Sequence, residues 1–164
     1  MMRAQSGVGF SGGGIGLKSA GVLAQSAVPA SVTGTLSETT LATIAIPAGA
    51  MGVNGALRIS TLWSYTNSAN NKTLKIVLGG VQVQGITVTT SSAMNHIAVT
   101  RNRGAANSQI TQFNSGAPFN VASQSNITTA VDTSQAQNLT ITGTLANTGE
   151  TITLEGYTVE LLNP

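Results

Sequence analysis

Leu74-Lys75-Ile76-Val77-Leu78-Gly79-Gly80-Val81-Gln82-Val83-Gln84 is two short apolar-polar alternations joined by a pair of glycines. Glycine reaches positive φ without a Cβ penalty, and two in succession supply the dihedrals of a two-residue primed hairpin turn. Closing that turn sets Leu78 opposite Val81 and Ile76 opposite Val83. Those four apolar side chains then share one face, while Lys75, Gln82 and Gln84 share the other. The stretch predicts an antiparallel hairpin with one buried side.

The same period runs outward from it. Leu139, Ile141 and Leu145 alternate with Thr140, Thr142 and Thr144, and Asn147-Thr148-Gly149 turns the chain into Ile152 and Leu154. Beyond Gly156 the apolar set becomes Tyr157, Val159 and Leu161. A one-residue slip at a glycine predicts a β-bulge that keeps the apolar face inward. Further strands are predicted over 36–46, 57–66, 96–102, 109–113 and 127–131. Eight or nine short strands with turn signals between them, and almost no helical period, predict an all-β chain: an antiparallel β-sandwich, jelly-roll-like.

Residues 1–31 have another character. Gly7, Gly9, Gly12, Gly13, Gly14 and Gly16 fall there, with Arg3 and Lys18 and no acid. Such a composition cannot build a core of its own, so the chain divides into an extended Gly/Ser/Ala-rich arm, 1–31, and a sandwich domain, 32–164. Gly7-Val8-Gly9-Phe10-Ser11-Gly12 spells the dinucleotide fingerprint but lacks its context. No strand precedes it, more glycines follow, and the first acid is Glu38. Ala20-Gly21-Val22-Leu23-Ala24 does not read as the apolar centre of a signal peptide, because Gly and Ser fill that region and Lys18 interrupts it. No run approaches the roughly 20 apolar residues of a membrane-spanning helix, so a soluble chain is expected.

Composition narrows the chemistry. Only 12 of 164 residues are charged, 7%, against roughly 25% in ordinary soluble domains. Hydrophobic residues make up 41% and mean hydropathy is +0.19, enough apolar surface to fold. The pI near 9.4 reflects a net charge of only +2, whereas phosphate recognition needs clustered cations. With no Cys and one His, disulfide frameworks and Cys-based zinc sites are excluded. His96 has no second imidazole with which to build a triad or metal site, and reads as a polar residue at a strand end. Glu150, Glu155 and Glu160, at odd spacing on a strand, read as solvated or edge-guarding charges. No catalytic residue, metal ligand or cofactor is assigned.

Two constellations remain. Arg101-Asn102-Arg103-Gly104 is the one local positive cluster, suited to an acidic patch on a partner rather than to nucleic acid, since interleaved aromatics are missing. Trp63 and Tyr65, two apart on a strand, share a face: either a sugar-stacking platform or core packing. The outward sheet positions carry Thr, Ser, Asn and Gln where Lys and Glu are usual. Secreted adhesins, sugar-binding modules and coat proteins packed against neighbouring copies all fit such a surface. Lateral contacts desolvate it, and unpaired buried charge is costly.

Gly55-Ala56-Leu57-Arg58-Ile59, then Leu62-Trp63-Ser64-Tyr65-Thr66-Asn67-Ser68-Ala69-Asn70-Asn71-Lys72-Thr73-Leu74-Lys75 and Leu78-Gly79-Gly80, form a distinctive phrase. With Ile44-Ala45-Ile46-Pro47-Ala48-Gly49 before it and Ile152-Thr153-Leu154-Glu155-Gly156-Tyr157-Thr158-Val159-Glu160-Leu161 at the close, it resembles the small β-rich virion proteins of tailed bacteriophages. These are the head-decoration (cement) and minor tail or fibre proteins. The resemblance covers roughly 33–162 and excludes the arm. It implies a jelly-roll-like sandwich, no enzymatic activity, and repeated copies on capsid or tail.

The expectation is a capsid decoration protein made in the host cytoplasm and carried on the particle surface. Its partners would be the major capsid protein and sister copies in a homo-oligomer, a trimer where local symmetry axes are straddled, with neither nucleic acid nor membrane involved. Arg3, Phe10 and Lys18 of the arm and Arg101 and Arg103 are the expected contacts. The alternative is a tail or fibre module that recognises host-surface glycan through Trp63, Tyr65, Asn67 and Asn70.

Overall fold

The computed structural model describes residues 21–113 and 125–163. Eleven strands follow in chain order: β1 (Gly21–Ser26), β2 (Ala30–Thr33), β3 (Thr39–Ile46), β4 (Ala56–Tyr65), β5 (Lys72–Leu78), β6 (Val81–Val88), β7 (Ala93–Asn102), β8 (Gln109–Thr111), β9 (Ile127–Thr129), β10 (Gln137–Leu145) and β11 (Thr151–Leu162). They form two antiparallel sheets. The seven-stranded sheet runs β1-β11-β4-β7-β8-β9, with β2 also paired to β11, and the four-stranded sheet runs β3-β10-β5-β6.

This is a jelly-roll order. The chain passes from β2 in one sheet to β3 in the other, back to β4, and across again to β5. The last two strands insert between the early ones, β10 between β3 and β5, β11 between β2 and β4. β8 and β9 widen the first sheet beyond β7. The all-β sandwich expected from alternation is thus the fold found.

Leu57, Ile59, Trp63, Ile152, Leu154 and Val159 of the larger sheet meet Ile44, Ile46, Leu74, Ile76, Leu78, Leu139 and Ile141 of the smaller one. Burying each of these side chains is worth about 1.5–3 kcal/mol. This core is what makes period two stable here, because a one-residue slip would turn a whole strand's apolar set to water.

The opening hairpin closes at Gly79 and Gly80, with φ of 56° and 80°. Leu78 pairs with Val81 as expected. Past that pair the register departs from the sequence reading. Val77 pairs with Gln82 and Ile76 with Gln84, so Val83 is an extra residue. Val83 and Gln84 are both buried, while Val81 is 42% exposed. The bulge persists because the Gln84 amide is satisfied inside: Nε2 donates to the Gln112 carbonyl at 3.2 Å, and Oε1 accepts from the Gly85 N–H at 3.1 Å.

The slip expected at Gly156 is present. Leu154 pairs with Trp63 and Gly156 with Leu62, leaving Glu155 as the extra residue. At the other end of the sequence, Gly21–Ser26 and the first half of Ala30–Thr33 lie where composition drew the arm. They pair with 157–161 and 151–154 of β11, forming an interrupted edge strand. Main-chain pairing needs no apolar pattern, and Val22 remains 55% exposed.

Candidate functional site

The sparse charges of the described residues are mostly spent on one another. Arg58 and Glu160 stand opposite in register, with Nε and Nη2 donating at 2.6 and 2.7 Å. The Arg58 guanidinium holds the Glu160 carboxyl below the usual carboxylate range. Glu38 accepts from Lys75 at 2.6 Å and Thr142 at 2.7 Å, and these bonds lower its pKa likewise. Glu155 accepts from the Ser64 hydroxyl.

Glu150 is the main correction among the acids. It is buried rather than solvated, accepting from Ser68 Oγ at 2.5 Å and Asn70 Nδ2 at 2.7 Å, with Lys72 Nζ 3.5 Å away. The Ser68 and Asn70 bonds, followed by the Lys72 charge, keep its carboxyl ionised. Lys72 Nζ also donates to Ser68 Oγ and to the Asn70 carbonyl, so the 66–71 loop is pinned from below.

Arg101 and Arg103 are exposed and have no carboxylate partner among the described residues. Arg101 lies at the end of β7 and Arg103 in the loop that follows, and this corner is well held. Asn102 Nδ2 donates to the Gly52 carbonyl and Thr133 Oγ1, and Gln109 Nε2 to Asn102 Oδ1 and the Ala106 carbonyl. Gly21, Leu161, Leu57 and Thr100 share one cross-strand row, and Arg101 follows Thr100. Gly21 and the arginines therefore occupy the same end of the sheet, three strand spacings or about 14 Å apart. Arg3, Phe10 and Lys18 lie outside the described residues.

The aromatic pair is core, not platform. Trp63 is 2% exposed and donates from Nε1 to Thr61 Oγ1 at 2.8 Å. Tyr65 is 7% exposed, its hydroxyl within 3.0 Å of Ser91 Oγ and 3.2 Å of the Ala93 carbonyl. Neither ring offers an open face for stacking. Asn67 and Asn70 are exposed above them, on the pinned loop.

His96 is not a strand-end residue but lies within β7, paired with Thr61. Its Nε2 is buried without a hydrogen-bond partner, and burial pushes the imidazole pKa down. A cavity of about 10 Å³, space for one water, is lined by His96, Thr61, Trp63, Gln84 and Met94 among others. Among the described residues, no three His, Asp or Glu side chains cluster as metal ligands would.

One concave feature escaped the sequence reading. Leu57, Ile59, Thr61 and Trp63 point inward, so Arg58, Ser60, Leu62 and Ser64 form the outer face of β4. Gly156 faces outward beside Leu62 and has no side chain to fill its place. The Ser26 carbonyl passes so near that a Cβ on Gly156 would stand 3.0 Å from it. The result is a notch of about 250 Å³ lined by Ser26, Ser60, Leu62, Asn95, Tyr157 and Thr158. It continues into a second recess of about 390 Å³ along Gln25, Ser26, Ala27, Tyr157 and Thr158. The phase slip at Gly156 was its only sequence signal.

No protein family matches the chain, and no curated protein does. Among solved structures, the chain is similar to the CBM2 module of the evolved Dit of Lactobacillus casei BL23 phage J-1. That match has 14% identity and a TM-score of 0.40 over 74% of this chain and 69% of that one. It is also similar to a chain of infectious bursal disease virus Gx strain, with 11% identity and a TM-score of 0.22 over 88% of this chain and 41% of that one.

Proposed function

We propose that this chain is a non-enzymatic structural protein of a phage particle, a decoration or cement protein that stabilises the head shell. The observation that carries this reading is the position of Arg101 and Arg103. They are exposed cations without carboxylate partners among the described residues, where β7 ends in a braced loop, at the end of the sheet where residues 1–20 join β1. An acidic patch on the major capsid protein would meet both the loop and the basic arm, Arg3 and Lys18 included. The Thr-, Ser- and Asn-rich sheet faces suit lateral contact with sister copies, since little charge has to be desolvated. Each arm contact is weak, but many tethered copies gain from high effective concentration.

Co-sedimentation with capsids tests this. Deleting residues 1–20, or replacing Arg101 and Arg103 with Ala, should strip the protein from the pelleted shell as salt is raised. Undiminished binding of both variants removes the arm and the loop from the mechanism. A tail or fibre module that binds glycan is the second reading, and the notch beside Gly156 favours it over the buried Trp63 and Tyr65.

A further inference from the structure

We infer that the notch floored by Gly156 is a binding site for a neutral saccharide. Its walls are built by register. Thr158 lies opposite Ser60, and Leu62 stands opposite Gly156 on one side and Asn95 on the other. Hydroxyl and carboxamide groups of Ser60, Thr158 and Asn95, from three strands, thereby share the outer face around one gap, and together they offer both donors and acceptors.

These groups are not engaged with the rest of the chain. Elsewhere on the surface, hydroxyls satisfy one another, as Ser31 with Thr153 at 2.8 Å and Thr73 with Thr87 at 3.3 Å. The side chains of Ser60, Asn95 and Thr158 make no hydrogen bond to any described residue, and so are available to a ligand. The two recesses share Ser26, Tyr157 and Thr158 and have volumes at the small end of ligand pockets, roughly 300 Å³ upward.

Charge selects the ligand class. No ionic side chain lines either recess. Of the charges on the same face, Arg58 is tied to Glu160, while Glu155, bonded only to the Ser64 hydroxyl, is an anion. A phosphate or carboxylate would gain no counter-charge there, whereas sugar hydroxyls match the walls. Leu62, 52% exposed, supplies the apolar patch on which the C–H face of a pyranose ring rests. One apolar residue among hydroxyls and amides favours a saccharide over a second protein surface, whose core would be more apolar.

This inference is independent of arm-mediated capsid binding, and either can fail alone. The test is amide chemical-shift mapping of the full chain with neutral tetrasaccharides of glucose, galactose and mannose at millimolar concentration. The inference expects at least one of them to shift Ser60, Leu62, Asn95 and Thr158 while leaving Thr43 and Thr140 on the opposite sheet unmoved. Asn95→Ala and Thr158→Val, both at the surface, should each weaken that binding about tenfold, the worth of one hydrogen bond. No shift with any of the sugars, shifts elsewhere, or affinity unchanged in both variants overturns it. So does a concentration-dependent dimer that moves the same amides without sugar, which would give the notch to a second copy.

Discussion

Lys72 Nζ stands 3.5 Å from Glu150 Oε2 with both side chains withdrawn from solvent, although the residues are 78 apart in the chain. This pair joins the start of β5 to the turn before β11 and carries the Asn-rich loop through Ser68 and Asn70. A buried pair is costly to break from one side, because the remaining charge is stranded, yet its replacement by two apolar residues is often neutral.

Lys72→Met should accordingly lower Tm by about 10 °C in a thermal melt. The double variant Lys72→Met/Glu150→Leu should recover most of that loss. Equal melting of the single and double variants would mean that the pair is not the element holding the loop.

Acid should weaken the fold in two stages. His96 has its pKa lowered from 6.5 by burial, so the unfolded chain binds the proton first. Its contribution is complete above 6.5 and is lost as pH falls below that value toward the folded pKa. Glu38, Glu150 and Glu160 have pKa values lowered from 4.5, and their contribution is lost as pH falls below 4.5 through the folded values. Denaturant melts across pH should show both stages, and His96→Leu should erase only the upper one.

The two turn glycines should respond differently to substitution. Gly80 has open space where a Cβ would stand, so Gly80→Ala should cost about 1 kcal/mol, the strain of left-handed backbone. At Gly79 a Cβ would also lie 2.5 Å from Gln137 Oε1 and 2.7 Å from Val131 Cγ1, so Gly79→Ala should cost more. Urea titration of the two variants checks the order. Equal costs would mean that the Gln137 and Val131 side chains give way freely.

Local pattern made the sandwich legible. The Gly79-Gly80 turn, the slip at Gly156 and the alternating core strands are all readable because period two and positive-φ glycines act over a few residues. What stayed hidden depends on distant partners. The Val83 bulge exists because Gln84 meets Gln112, and β1 because the edge of β11 offers main-chain bonds to a segment with no apolar pattern. Glu150 looked solvated because nothing near it in sequence announces Lys72 as a buried partner. Trp63 and Tyr65 shared a face as read, but the inner rather than the outer face decides what they do. Of the expected contacts, Arg101 and Arg103 were legible as a local cluster. The notch was not, because its walls come from four strands.

The proposed decoration role requires many copies of this chain on a phage head. Electron-microscopy reconstruction of the particle, with this chain fitted as a sandwich, is the direct measurement. In the decoration role, symmetry-related copies should cover the shell, with the Arg101 and Arg103 end and the arm against capsid subunits. A few copies confined to the tail, or a head without this density, would contradict it.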